Sequence, residues 1–119
     1  MPVHIKVPET GHSQIHFTSG NISLSQFSTH TLTSVQNTSA IVSINAQRDH
    51  NGNINYPSAL YFCNYNRATQ IIKTSGGSWD IEDGGADHVL YTSGANVIFK
   101  NRAATTTIFH FTVLAFSGV

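Results

Sequence analysis

Charge is the scarcest property of this sequence. Only 10% of its 119 residues are charged, six of them basic and six acidic, whereas average proteins carry roughly 25%. Nucleic acid and anionic membrane surfaces both attract proteins through a basic face, and a formal net charge of zero does not supply one. The composition therefore argues against both as partners.

Cysteine and long apolar runs are also scarce. Cys63 is the single cysteine, so no disulfide can form within the chain, and its apolar neighbours predict an inert, buried thiol. No segment approaches the roughly 18 consecutive apolar residues that indicate a transmembrane helix. We therefore expect neither a disulfide framework nor insertion into a membrane.

Short apolar runs separated by turn residues make up most of the chain. Apolar and polar residues alternate in these runs, and no window shows the period of an amphipathic helix. Gly, Asn and Ser separate the runs, and these residues favour tight turns. The pattern predicts a single domain over residues 1–119, an all-β antiparallel β-sandwich with about ten short strands and no significant helix. The predicted strands span residues 4–7, 14–18, 22–27, 31–35, 40–46, 59–64, 69–73, 88–91, 96–100 and 105–117.

The closing run, residues 105–117, is the longest and is apolar on both faces. Because side chains alternate along a strand, Phe109 lies on one face, and His110, Leu114 and Phe116 lie on the other. A strand of this kind belongs in the middle of a sheet that is covered on both sides. The facing sheet supplies one cover, and a neighbouring subunit is the economical second cover. The predicted oligomer-interface residues are Phe109, His110, Leu114 and Phe116.

His110 has two interpretations. Its apolar neighbours on the strand predict a buried histidine with a hydrogen-bond partner. If the strand lines a symmetry axis, copies of His110 meet there and form an oligomeric metal site or a pH-sensitive site. The other six histidines are scattered along the chain, and we predict no metal site within one chain.

The segment 78–88 holds four of the six acidic residues and the single tryptophan. An exposed indole beside carboxylates suits a saccharide, because the ring covers C–H surface while the carboxylates accept hydrogen bonds from hydroxyl groups. Alternatively, Trp79 plugs the end of the sandwich. Carboxylates on a Gly-rich loop also suit calcium, and the alternative is a solvated acidic turn. From this segment we predict ligand contacts by Trp79, Asp80, Asp83 and Asp87, with calcium as the one cofactor it could hold.

Two other polar loops supply further predicted ligand-binding residues. His50 lies in the first, and Asn64, Tyr65 and Arg67 lie in the second. Amide and aromatic side chains on loops are typical of adaptable recognition surfaces, and equally of ordinary loops. The sequence has no nucleophile elbow and no phosphate-binding loop, and the carboxylates that a glycosidase needs crowd one loop. We therefore expect no enzymatic activity.

The last thirty residues predict a meander of three strands, because connections as short as these join antiparallel neighbours. Residues 87–101 form a short strand, a Ser-Gly turn and an apolar strand that ends in Asn101, and a Thr-rich turn then leads into the final strand. This pattern resembles the end of many bacteriophage tail-fibre and tail-tip receptor-binding proteins. The resemblance implies a jelly-roll head, usually a homotrimer, that binds a saccharide or protein on a bacterial surface, and it carries over no individual residue.

The function we expect is therefore a non-catalytic binding module on a virion surface or outside the cell, as a free domain or as the C-terminal head of a longer fibre or spike. Its expected partners are a cell-surface glycan or receptor protein and copies of itself. The alternatives are a free-standing β-sandwich lectin, a capsid or decoration subunit, and an enzyme that acts on surface polysaccharide.

Overall fold

The computed structural model describes residues 14–35, 38–74, 78–85 and 87–117. This part of the chain contains no helix, and thus none that is long and apolar enough to cross a membrane. Its strands are β1 (Gln14–Leu24), β2 (Thr29–Ser34), β3 (Thr38–Ala46), β4 (Ser58–Asn64), β5 (Arg67–Lys73), β6 (Trp79–Asp80), β7 (His88–Ser93), β8 (Asn96–Lys100) and β9 (Thr107–Ser117).

The strands form two sheets that face each other. One sheet has the order β1-β9-β3-β4-β5 and the other has the order β2-β8-β7-β6. All neighbouring pairs are antiparallel except the short β6–β7 pair. Large side chains from both inner faces are fully buried between the sheets: Ile44, Tyr61 and Phe109 from the first, and Trp79, Leu90 and Phe99 from the second. The predicted antiparallel sandwich is confirmed, whereas these strand orders do not establish its jelly-roll type.

β9 lies between β1 and β3, as expected for a strand in the middle of a sheet. Phe109 is on its inner face, fully buried, with its ring 4.9 Å from that of Phe99 and 5.3 Å from that of His88. The assignment of Phe109 to a subunit interface is therefore wrong, because the facing sheet already covers this side chain.

β1 passes straight through Gly20, where the sequence predicts a turn. Gly20 pairs with Phe111 of β9, and a Cβ atom on Gly20 would lie only 3.2 Å from Phe111 Cζ. A glycine in a strand often marks such a close approach of a neighbouring side chain. The two strands predicted at 14–18 and 22–27 are therefore one strand, and this glycine serves packing.

The chain changes sheets between β8 and β9, so the predicted three-strand meander is wrong at its last step. The buried side chain of Asn101 stabilises this crossing. Its amide group donates to the carbonyl oxygens of Leu24 (2.8 Å) and Thr105 (3.2 Å), and its oxygen accepts from the N–H of Ala103 (2.7 Å). The sequence also fails to indicate the two-residue β6, and the strand predicted at 4–7 lies outside the described residues.

Candidate functional site

Trp79 belongs to the core. Its side chain is fully buried, and its indole N–H donates to the carbonyl oxygen of Pro57 at 3.0 Å. The ring packs against those of Tyr61, His88 and Phe109, with centroids 5.4 to 6.3 Å apart. The expectation of an exposed indole that stacks on a saccharide is therefore wrong. The alternative, in which Trp79 fills space inside the sandwich, is correct.

Asp83 is held by two cations. Its carboxylate accepts from Lys100 Nζ at 3.2 Å and from Arg102 Nη2. Burial opposes the charge, but hydrogen bonds and charge interactions from Lys100 and Arg102 outweigh it and hold the pKa of Asp83 below its ordinary value. These contacts hold the acidic segment, residues 78–88, against the C-terminal end of β8. The carboxylate is therefore partly engaged within the protein before any ligand arrives.

His50, Ser78 and Asp87 come together in a way that the sequence did not indicate. His50 Nδ1 lies 3.0 Å from Ser78 Oγ and 3.1 Å from Asp87 Oδ1. A catalytic triad needs the serine on one ring nitrogen and the carboxylate on the other. Here both contacts fall on the same nitrogen, and Ser78 is fully buried. The arrangement therefore joins two loops and lacks the geometry of nucleophilic catalysis.

The structure also shows the surroundings of two other side chains discussed from the sequence, Cys63 and Asp80. Cys63 is buried, as predicted, and its burial raises the pKa of the thiol to about 12. Asp80 is exposed, and its carboxylate accepts from the N–H of Ile81 at 2.7 Å. Among the residues that the structure describes, no three His, Cys, Asp or Glu side chains are grouped to hold a metal ion.

Asn64, Tyr65 and Arg67 lie at the other end of the sandwich. Asn64 and Arg67 are paired, so Tyr65 and Asn66 form a two-residue turn between β4 and β5. The N–H of Asn66 donates to the carbonyl oxygen of Gly94 in the β7–β8 turn at 2.8 Å. β4 begins beside the loop that holds His50 and ends at Asn64, so the predicted ligand-binding residues form two groups, one at each end.

The outer face of the five-stranded sheet carries a band of apolar side chains that follows the strand register. Phe17, Leu114, Ile41 and Phe62 are successive partners across β1, β9, β3 and β4, and Ile15 and Phe116 form the next pair. We call these six residues the apolar stripe. Phe17 is 70% exposed and Ile15 is 59% exposed. Contiguous exposed apolar surface of this kind marks interaction sites. Leu114 and Phe116 lie here as predicted, and their contact with a subunit stays a prediction.

Beside the stripe, the same face carries a shallow cavity of about 340 Å³ with polar walls. We call it the polar cleft. Its side chains come from β1, β9 and β3: Ser19, Asn21, Ser43, Asn45, His110 and Thr112. His110 is exposed here, so its interpretation as a buried histidine is wrong for the single chain. The sequence signal for this face is weak, because only the strand register shows that these residues are neighbours.

No family model and no curated protein matches this chain. Two solved structures are similar to it. One is the tailspike protein gp49 of Acinetobacter baumannii bacteriophage Fri1, a capsular polysaccharide depolymerase, with 12% identity, a TM-score of 0.44, and coverage of 88% of this chain and 18% of that one. The other is the tailspike protein of Acinetobacter phage vB_ApiP_P1, with 9% identity, a TM-score of 0.39, and coverage of 100% and 24%. Similarity at this level identifies no family for this chain.

Proposed function

We propose that this domain is a non-catalytic attachment module that binds a cell-surface saccharide or protein receptor and works as a homotrimer on a virion surface. The observation that carries the proposal is the apolar stripe. Only 10% of the residues in this chain are charged. On the outer face of the five-stranded sheet, six apolar side chains form a continuous band across four neighbouring strands.

Self-association is the simplest way to cover the stripe. Full burial of one large apolar side chain stabilises a protein by about 1.5–3 kcal/mol, so several of them together can hold subunits against the entropy cost of association. In a closed symmetric trimer every copy contributes the same residues, and a stripe near the threefold axis would be covered in all three copies. We propose three subunits because the C-terminal part of the sequence resembles the ends of tail fibres, which are usually homotrimers.

The absence of catalysis is supported by the state of the groups best suited to chemistry. Ser78 is buried and Cys63 is a buried thiol with a raised pKa. Asp83 is ion-paired with Lys100 and Arg102. Binding then falls to the exposed surfaces. These are the turn at Tyr65, the two loops that hold His50 and Asp87, and the outer face of the five-stranded sheet.

The test compares two exposed phenylalanines. Phe17→Ser removes the most exposed member of the stripe, whereas Phe27→Ser removes a phenylalanine that is 58% exposed and lies outside it. By size-exclusion chromatography with light scattering at micromolar concentration, we expect the wild type and Phe27→Ser to have the mass of a trimer, and Phe17→Ser to shift to the monomer. A wild type that is monomeric at these concentrations would contradict the trimer.

The alternatives give different combinations of results. A lectin that acts alone predicts glycan binding by a monomer. A decoration subunit predicts assembly on a scaffold without glycan binding. Release of oligosaccharides from capsule or lipopolysaccharide by the purified protein would show an enzyme instead.

A further inference from the structure

We propose that the polar cleft is a binding site for one uncharged sugar unit of the receptor. This inference deepens the proposed attachment function and depends on it. The cleft lies on the outer face of the five-stranded sheet, and none of the loop residues that the sequence indicated as ligand contacts lines it.

The strand register places the six side chains of the cleft in a regular grid. Ser19, Thr112 and Ser43 are successive partners across β1, β9 and β3, and the next row is Asn21, His110 and Asn45. Partners on neighbouring strands stand about 5 Å apart, and rows two residues apart are separated by roughly 7 Å. Six polar groups therefore cover an area comparable to one pyranose ring, on a rigid sheet.

These side chains are free to bind. None of the six forms a side-chain hydrogen bond with any residue that the structure describes. Asn45 Oδ1 is buried in the wall of the cleft without a partner. A buried polar atom without a partner is unusual in a folded protein. Because the terminal torsion of asparagine is soft, a small rotation presents this amide to a ligand in the cleft.

The chemistry of the grid selects the ligand class. Hydroxyl and amide groups both donate and accept hydrogen bonds, as sugar hydroxyl groups do. The grid contains no Lys, Arg, Asp or Glu, so it has no ammonium, guanidinium or carboxylate group to form an ion pair with a charged ligand. An uncharged polyol therefore fits the cleft better than a charged ligand.

The decisive variant is Asn21→Ala/Asn45→Ala, which removes two amides from the cleft. Its matched control is Gln26→Ala/Asn96→Ala, which removes two exposed amides outside the cleft. Each protein is applied to an array of neutral and anionic bacterial oligosaccharides, and affinities are measured by titration with the best neutral binder. We expect the wild type and the control to bind neutral oligosaccharides, and the cleft variant to lose at least tenfold in affinity while it keeps the wild-type oligomeric state and circular dichroism.

Three results would overturn the assignment. The first is wild-type affinity in the cleft variant. The second is a wild type that binds only anionic glycans. The third is a cleft variant that changes its oligomeric state, which would show that a second copy of the chain occupies the cleft. If Tyr65→Ala abolishes attachment to cells while the cleft variant attaches normally, the cleft inference fails and the attachment function stands. If the wild type binds neither cells nor glycans, both fail.

Discussion

At the scale of single residues, buried polar side chains join the connections at one end of the sandwich. His88 is fully buried and uses both ring nitrogens. Nδ1 accepts from the N–H of Arg102 at 3.0 Å, so the proton of the neutral ring must sit on Nε2, which donates to the carbonyl oxygen of Arg48 at 2.7 Å. A second proton on Nδ1 would break the bond to Arg102. The folded structure therefore requires the neutral form of the His88 ring.

This arrangement predicts that stability depends on pH. Burial, with a smaller effect from His50, lowers the pKa of His88 below its ordinary value of 6.5, although the hydrogen bond to Arg48 opposes the shift. As the pH falls below the ordinary value, the unfolded chain binds a proton that the folded chain refuses. The contribution of His88 to the free energy of unfolding is therefore greatest above pH 6.5. Below that pH it decreases by up to about 1.4 kcal/mol per pH unit.

Urea unfolding between about pH 7.5 and about pH 5 tests this dependence on pH. His88→Gln is expected to be less stable than the wild type but to lose the part of the slope that His88 contributes. His16→Gln, which changes an exposed histidine of β1, is the matched control and should keep the wild-type slope. An unchanged slope in His88→Gln would show that His88 does not couple folding to pH.

At the scale of elements, β9 has two faces with different roles. Its inner face carries Phe109 and Val113 into the core, and its outer face carries Leu114 and Phe116 in the apolar stripe and His110 in the polar cleft. One strand thus contributes to the core, to the predicted subunit contact and to the predicted ligand site. Its position between β1 and β3 allows this, because a central strand is flanked by neighbours on both sides.

Two aspartate substitutions on β9 should separate these roles. Phe109→Asp places a carboxylate in the fully buried core, and we expect a loss of more than about 4 kcal/mol, enough to unfold the domain. Leu114→Asp places the same group on the outer face, where water reaches it, and we expect a folded monomer. Circular dichroism and mass measurements check both outcomes. A folded Phe109→Asp, or a trimeric Leu114→Asp, would contradict this division of β9.

The same strand shows how far sequence reasoning reaches. Alternation along β9 predicts which residues share a face, because the period of a strand is local. It does not predict which face is inner, and so Phe109 was assigned to the wrong surface. Gly20 is harder still, since its role comes from Phe111, more than ninety residues away in sequence. The crossing at Asn101 depends on acceptors in Leu24 and Thr105, which no local pattern brings together.

At the scale of the whole molecule, the surfaces suited to binding fall in three places. Asp87 and His50 lie at one end of the sandwich, Tyr65 and Arg67 lie at the other, and the polar cleft lies on the outer face of the five-stranded sheet. The sequence indicated loop residues as ligand contacts, whereas only the register of β1, β9 and β3 brings the residues of the cleft together. The apolar stripe and the cleft share one face, so the proposed subunit contact and the proposed ligand site are neighbours on the outer sheet face.

This layout predicts that attachment to a surface depends on assembly, whereas binding of a small ligand does not. A trimer presents three clefts, and linked sites raise the overall affinity for a repeating surface by about 10²–10⁴ without any new contact. Phe17→Ser should therefore bind a soluble neutral oligosaccharide with an affinity close to that of the wild type and attach to cells at least about 10²-fold more weakly. Phe27→Ser should match the wild type in both titration and cell-binding assays. Equal attachment by monomer and trimer would show that one head suffices, and loss of soluble oligosaccharide binding in Phe17→Ser would show that the stripe itself contacts the sugar.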